Sequence, residues 1–262
     1  MYYHRHLPDW QLPRGVPRGT LEYAQSDQVT GQYDAEFADS TLFRFDEHLL
    51  GQYLASPGVM VDLGCGTGRL LMPFARRGFH AIAVDLSIKM LRIVGQKARA
   101  EQLAVDRLLA NIVELDCLRD QAADYVICMF STLGMIRGRH HRRRMLAHVQ
   151  RILKPGGVFV LHVHNRWSNL YMPQGRLWLW KNQVTSLTRR DVEPGDKFFP
   201  YHDVPQMYLH LFTLGELKSD LRGAGLTIER ITPLNNQRRE KLRFPWLLGR
   251  FRANGWIVAC RR

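Results

Sequence analysis

Val61-Asp62-Leu63-Gly64-Cys65-Gly66-Thr67-Gly68-Arg69 is the stretch on which the reading of this chain turns. The apolar run Val59–Leu63 reads as a strand. The three alternate glycines after it let the backbone turn sharply and bring main chain against a ligand, where a Cβ would collide. A helix over 69–77 follows, closed by Gly78. A glycine loop between strand and helix lies at the carboxyl edge of an α/β sheet, where ligands bind. A phosphate loop would need Lys-Ser/Thr after the last glycine, and Arg69-Leu70 stands there. A dinucleotide fingerprint needs Gly-x-Gly-x-x-Gly, and the spacing here is Gly-x-Gly-x-Gly. Asp62 beside the loop disfavours an anion, so a cationic ligand is better served.

Outward from the loop, short β-branched runs alternate with helical patterns across 59–164, the pattern of a parallel sheet with helices on its faces. Strands are expected over 80–84, 107–112, 124–129 and 158–164. Ser87 is placed to cap a helix whose apolar face carries Ile88, Leu91, Val94 and Ala98. A later helix buries Met145, Leu146, Val149, Ile152 and Leu153, and Lys154-Pro155-Gly156-Gly157 turns it into the fifth strand. Asp85, at the end of the second strand, can accept both hydroxyls of a ribose. Its bland alternative is a capping or loop aspartate. Asn111 can meet an adenine edge while Ile112 packs on the ring, or it is a turn asparagine.

Beyond Asn165 the rhythm breaks. Residues 165–207 hold three of the six tryptophans and turn signals at Pro173-Gln174-Gly175 and Pro194-Gly195, which predict an inserted lid, partly a hairpin. Periodicity returns as a helix over 214–223 and strands over 226–231 and 255–260. Residues 1–40 form an N-terminal cap segment, with a helix expected over 39–53. The whole of 1–262 reads as a single domain.

Asp62 through Gly68, Val84-Asp85-Leu86-Ser87 and Leu153-Lys154-Pro155-Gly156-Gly157 together resemble the class I S-adenosylmethionine-dependent methyltransferases. The resemblance implies a Rossmann-like α/β sheet of seven strands with the last antiparallel, flanked by helices. It implies S-adenosyl-L-methionine as cofactor. Asp62, Gly64, Cys65, Gly66, Thr67 and Gly68 would face its methionine part and Asp85 its ribose. Leu86, Asn111, Ile112 and Phe130 complete the expected cofactor contacts. The family often has aspartate where Asn111 stands.

Transfer of a methyl group from a sulfonium needs alignment more than a dedicated acid. A base matters only for a protonated acceptor. His162 and His164, which share a strand face, are the candidate bases, against the alternative that each is satisfied by local hydrogen bonds. The fourth strand ends in Phe130-Ser131-Thr132-Leu133-Gly134, without the Asn/Asp-Pro-Pro-Tyr type motif of the amino-methylating branches.

The chain carries 37 Lys and Arg against 24 Asp and Glu, a net charge of +13. Residues 137–144 hold five arginines and two histidines, and 233–262 hold eight basic residues against Glu240 alone. Cations at a helix N-terminus oppose its dipole, so Arg142, Arg143 and Arg144 were candidates for holding phosphate or carboxylate of a substrate. Trp167 is a candidate stacking platform for a base. A solvated basic surface and a small aromatic core are the alternatives. Residues 207–217 are similar to a segment of the tRNA wobble-uridine carboxymethyl methyltransferases, although Thr213-x-x-Glu216 is equally a capping box. Small-molecule and RNA acceptors therefore both stay open, as does an RNA-binding protein that keeps the fold without turnover. The four cysteines form no Cys-x-x-Cys pair, and no apolar run reaches the ~18 residues of a membrane span. A cytoplasmic protein with no membrane partner and no metal is expected.

Overall fold

Strand-forming and helix-forming segments interleave along the computed structural model, which describes residues 7–36 and 41–262. The start of the chain and the first residues of the helix expected over 39–53 lie outside that description. Three helices precede the sheet: α1 (Arg18–Gln25), α2 (Asp27–Glu36) and α3 (Thr41–Gly51). Then come β1 (Val59–Leu63), α4 (Leu71–Arg76), β2 (His80–Asp85), α5 (Ile88–Ala100), β3 (Val105–Leu109) and β4 (Ala123–Cys128). The second half holds α6 (Arg139–Ile152), β5 (Leu153–His164), α7 (Pro173–Thr188), β6 (Asp196–Tyr201) and β7 (Val204–His210). It closes with α8 (Leu214–Gly223), β8 (Thr227–Pro233), α9 (Gly249–Arg252) and β9 (Gly255–Arg261).

Seven strands form one sheet in the order β3-β2-β1-β4-β5-β9-β8. β1, β2, β3, β4 and β5 pair in parallel, whereas β9 runs antiparallel to both β5 and β8. This is the sheet expected, with its last strand reversed. The strand order changes direction at β1 and β4, which opens a crevice at their carboxyl ends. One face of the sheet buries Leu63, Val126 and Phe159 with Leu146 and Val149 of α6. The other buries Met60, Ala83 and Ile127 with Phe74 of α4 and Leu91 of α5.

Ser87 Oγ accepts from Met90 N at 3.4 Å and starts α5, as its position predicted. β3 falls two to three residues earlier than expected. β5 begins at Leu153, so the Lys154–Gly157 turn lies within the strand, where Gly156 takes φ +76° and the pairing with β4 slips. Pro173 does not end a segment but opens α7 as its first residue, a position where the missing N–H is no loss. Residues 196–210 form a separate β6–β7 hairpin that packs on α1.

Candidate active site

Backbone geometry makes the site first. Gly64, Gly66 and Gly68 take φ of +77°, +54° and +77°, conformations that L side chains resist. A Cβ on Gly64 would stand 2.4 Å from Thr132 Cγ2, so the loop needs glycine for space as well as for φ. Gly64 N and Cys65 N both donate to Val84 O, at 2.8 and 3.1 Å, which pins the loop to the end of β2. From there Asp85 reaches back. Its Oδ2 accepts from Gly66 N at 2.8 Å and its Oδ1 from Ser87 N at 2.8 Å. The carboxylate thus organises the loop and the start of α5 while still lining the open space beside them.

That space is a cleft between the glycine loop and the N-terminal helices. Asp62, Gly64, Cys65, Gly66, Asp85 and Leu86 line it from the glycine loop and β2. Asn111, Ile112 and Phe130 line it from the ends of β3 and β4. Thr67 and Gly68 do not. Thr67 is fully buried, and Gly68 backs onto Val94 of α5. These two residues therefore shape the turn from behind, where the sequence placed them against the ligand.

Two carboxyls face the cleft from neighbouring strands. Asp62 is 4% exposed. Burial, reinforced by the charge of Asp85, pushes its pKa up to about 8. Burial also raises Asp85, against the N–H groups of Ser87, Gly66 and Leu86, which favour its charged form. A buried acid beside a loop too tight for side chains suits a ligand with a cationic end and a polar sugar. The residues present fit S-adenosylmethionine. Asn111 is less free than expected: its Nδ2 donates to Arg14 O at 2.9 Å, and its Oδ1 accepts from Val113 N at 3.1 Å. It lines the cleft as a turn asparagine tied to the N-terminal segment.

The expected lid is elsewhere. No residue of 165–207 lines the cleft, and the cover comes instead from Val16, Thr20, Tyr23 and Ala24 around α1, with Phe43 of α3. Phe43 stacks at 4.8 Å from Phe130, and the Arg69 guanidinium lies 4.7 Å over the Phe43 ring. The sequence marks 1–40 as a cap segment, but no motif there says that it, rather than 165–207, covers the cleft. Its one local signal is the spacing of Thr20, Tyr23 and Ala24 on one helical face.

Both candidate bases sit outside the cleft. His162 is fully buried, with neither ring nitrogen hydrogen-bonded, and burial followed by the nearby Arg238 charge holds its pKa well below the ordinary value. His164 packs edge-on against it at 4.9 Å and is lowered to about 4 by the same two causes, with Asn254 opposing. Neither lines the cleft, so neither can take a proton from an acceptor held there.

The arginine cluster is also corrected. Arg142 is wholly buried, and its Nη2 donates to Glu193 at 2.5 Å and Glu216 at 3.3 Å. His210 joins the same network, its Nδ1 facing Asp196 and its Nε2 facing Glu216, each at 2.9 Å. Burial opposes charge on His210, but those two carboxylates outweigh it and raise the pKa. Glu193, His210 and Glu216 have metal-like spacing, yet Arg142 already supplies the cation between the two glutamates. Arg143 pairs with Asp220 at 2.8 Å and Arg144 with Asp116 at 3.6 Å, on the outside of α6 and away from the cleft. Trp167 packs edge-on against Phe251 at 5.7 Å and serves a small aromatic cluster. Thr213 Oγ1 accepts from Glu216 N at 3.2 Å, so the Thr-x-x-Glu reading as a helix cap holds.

Comparison with known proteins agrees with this geometry. Residues 60–157, the span from β1 to the turn of β5, match the family model described as a methyltransferase domain. The chain is 26% identical over 189 residues to a Geobacillus protein provisionally named a methyltransferase, covering 66% of this chain and 75% of that one. A solved S-adenosylmethionine-dependent methyltransferase from Methanosarcina mazei superposes with TM-score 0.65 over 82% of this chain and 96% of its own, at 19% identity. Residues 60–157 are a methyltransferase domain, and the chain has the fold of the class I S-adenosylmethionine-dependent methyltransferases. Another member of this fold, the 1,6-didemethyltoxoflavin-N1-methyltransferase of Burkholderia thailandensis, was solved with its acceptor and S-adenosylhomocysteine. It superposes with TM-score 0.61 over 96% of this methyltransferase and 92% of its own chain, at 19% identity. This methyltransferase spans less than half the length of several other curated relatives, among them ubiquinone biosynthesis O-methyltransferases of Rickettsia. Among its described residues no helix is long and apolar enough to cross a membrane.

Proposed function

We propose that this methyltransferase modifies a small, largely apolar acceptor held in the cleft beneath α1. The cofactor supplies an electrophilic methyl on a sulfonium, and the chain's work is to hold and align. Asp85 accepts the ribose hydroxyls with the lone pairs left free by Gly66 N and Ser87 N. Asp62 faces the cationic methionine end, and the bare main chain of Gly64 and Gly66 lets that end approach closely. Leu86 and Ile112 pack on the adenosine, and Phe130 closes the cleft on the opposite side.

The observation that carries the small-molecule reading is the cover. Tyr23, Ala24, Phe43, Met129, Met135 and Ile136 make the far wall apolar, and Arg69 is the lone Lys or Arg among the described lining residues. A polynucleotide needs a basic groove open along its length. The bound small acceptor in the Burkholderia relative's structure accords with this reading. With no histidine among the described residues of the lining, rate enhancement rests on alignment, which supplies roughly 7–11 kcal/mol where geometry is good. Incubation with methyl-labelled S-adenosylmethionine and separated cell fractions tests this directly. Label is expected in the low-molecular-weight fraction. Label confined to RNA would sink the proposal.

A linkage follows from Asp62. Its raised pKa of about 8 leaves it protonated at neutral pH in the free protein. Holding a cation requires the proton to leave, so cofactor affinity should climb with pH, by up to about ten-fold per unit, and level off above about 8. Asp62→Asn should flatten that profile. It should also raise the heat stability of the free protein, because a carboxyl raised on folding costs stability increasingly as pH rises from its unfolded value toward 8. Calorimetric titration across pH, with melting curves of both proteins, reads both effects. An unchanged slope in the variant would remove Asp62 from the site.

A further inference from the structure

We infer that the surface formed by α7 and the loop before α9 docks this protein on an anionic membrane surface. α7 has a buried face and an exposed apolar stripe. Gly175, Leu179 and Asn182 face inward and are buried. Leu177, Trp180, Val184 and Leu187, spaced three, four and three residues apart, form one stripe and are all exposed, Trp180 to 64%. A surface helix ordinarily turns polar residues outward.

The second element is Phe244-Pro245-Trp246-Leu247-Leu248. All four of its large apolar side chains are exposed, Trp246 to 80%. The two elements are joined. Residues 166–171, which lead into α7, pack on α9, with Trp167 against Phe251 and Asn165 Nδ2 donating to Arg250 O at 2.9 Å. Tyr171 shares a groove with Lys241, Arg243 and Arg252. Tyr171 and Met172 are themselves exposed and continue the apolar surface between the two elements.

Charge selects the occupant. Residues 166–190 carry five Lys and Arg and no acid, and 241–262 carry six and no acid. Exposed tryptophan, phenylalanine and leucine set among arginines and lysines is the composition that seats a protein at the interface of an anionic bilayer. A second copy on the same surface would bring these like charges together across a two-fold axis. Nucleic acid could stack on Tyr171, Trp180, Phe244 and Trp246, but it would leave the exposed Met172, Leu177, Val184, Leu187, Leu247 and Leu248 among them without an apolar partner. The placement also suits an enzyme: α7 follows the carboxyl end of β5 and the loop follows that of β8, which runs parallel to β5. Both leave the edge of the sheet where the cleft opens. Arg238, from the same connection as the loop, lies 4.2 Å over the ring of Phe130 in the cleft wall. This association is peripheral and needs no membrane-spanning helix.

The test is sedimentation of the full chain with vesicles of pure phosphatidylcholine and of equimolar phosphatidylcholine and phosphatidylserine. Binding is expected to the mixed vesicles only and to weaken with salt. Trp246→Ala with Leu247→Ala should cut partitioning by at least about ten-fold. Arg243→Glu should cut it by at least about five-fold, the ratio that corresponds to roughly 1 kcal/mol per basic residue. These side chains are exposed, so folding is expected to survive, and melting curves verify that. Failure to bind mixed vesicles would overturn the inference, as would binding that the variants leave intact. So would a dimer or an RNA complex dissolved by the same substitutions. Cofactor titration of the variants keeps this result separate from the small-molecule reading, since neither site residue is touched.

Discussion

Asp85→Ala is expected to weaken S-adenosylmethionine binding by at least about 100-fold. Hydrogen bonds to a charged group contribute roughly 1.5–3 kcal/mol each, and a ribose would lose two of them. The substitution also releases Gly66 N and Ser87 N, each held at 2.8 Å, so the loop loses the anchor that shapes it. Isothermal titration with S-adenosylhomocysteine measures the change. Asp85→Asn should fall between, because an amide oxygen can still accept while its NH2 faces a donor. Affinity within about three-fold of the wild type in Asp85→Ala would remove the central residue of the proposed site.

Arg142→Ala should destabilise the fold by about 3–5 kcal/mol, the usual result of removing one partner from a buried ion pair. Glu193 and Glu216 would be left facing one another and His210 without their cation. The same network ties α6 and α8 to the segment before β6, so the loss should be cooperative and visible as a lower denaturation midpoint. Arg143→Ala, on the exposed side of the same helix, should change stability by less than about 1 kcal/mol. Equal effects for the two substitutions would contradict the burial that distinguishes them. Neither should change cofactor affinity in the folded protein, because neither residue lines the cleft.

These two sites differ in how they could be read. The position of Asp85 at the cleft was legible because it is set locally: a strand end a fixed distance beyond a glycine loop has one place in the fold. The same holds for Asp62, Gly64 and Gly66. Thr67 and Gly68 belong to the motif as fully, yet the turn rotates them behind the cleft, and spacing alone does not say which side of a turn a residue faces. The lid was misplaced for a related reason. A break in periodicity marked 165–207 as irregular, but the cover of the cleft is the N-terminal helix, brought there by contacts distant in sequence.

Sequence alone determined the alternation of strands and helices, the positions where only glycine can stand, and the acid that follows β2, since backbone sterics and hydrophobic period act within a few residues. It also determined the basic charge, but not its use. Tertiary structure decided that Arg142 is sealed among carboxylates, that His162 and His164 lie buried away from the cleft, and that the stripe on α7 faces outward. Each of those outcomes depends on which surfaces meet. That is fixed by burial summed over the whole chain, a quantity no short segment contains.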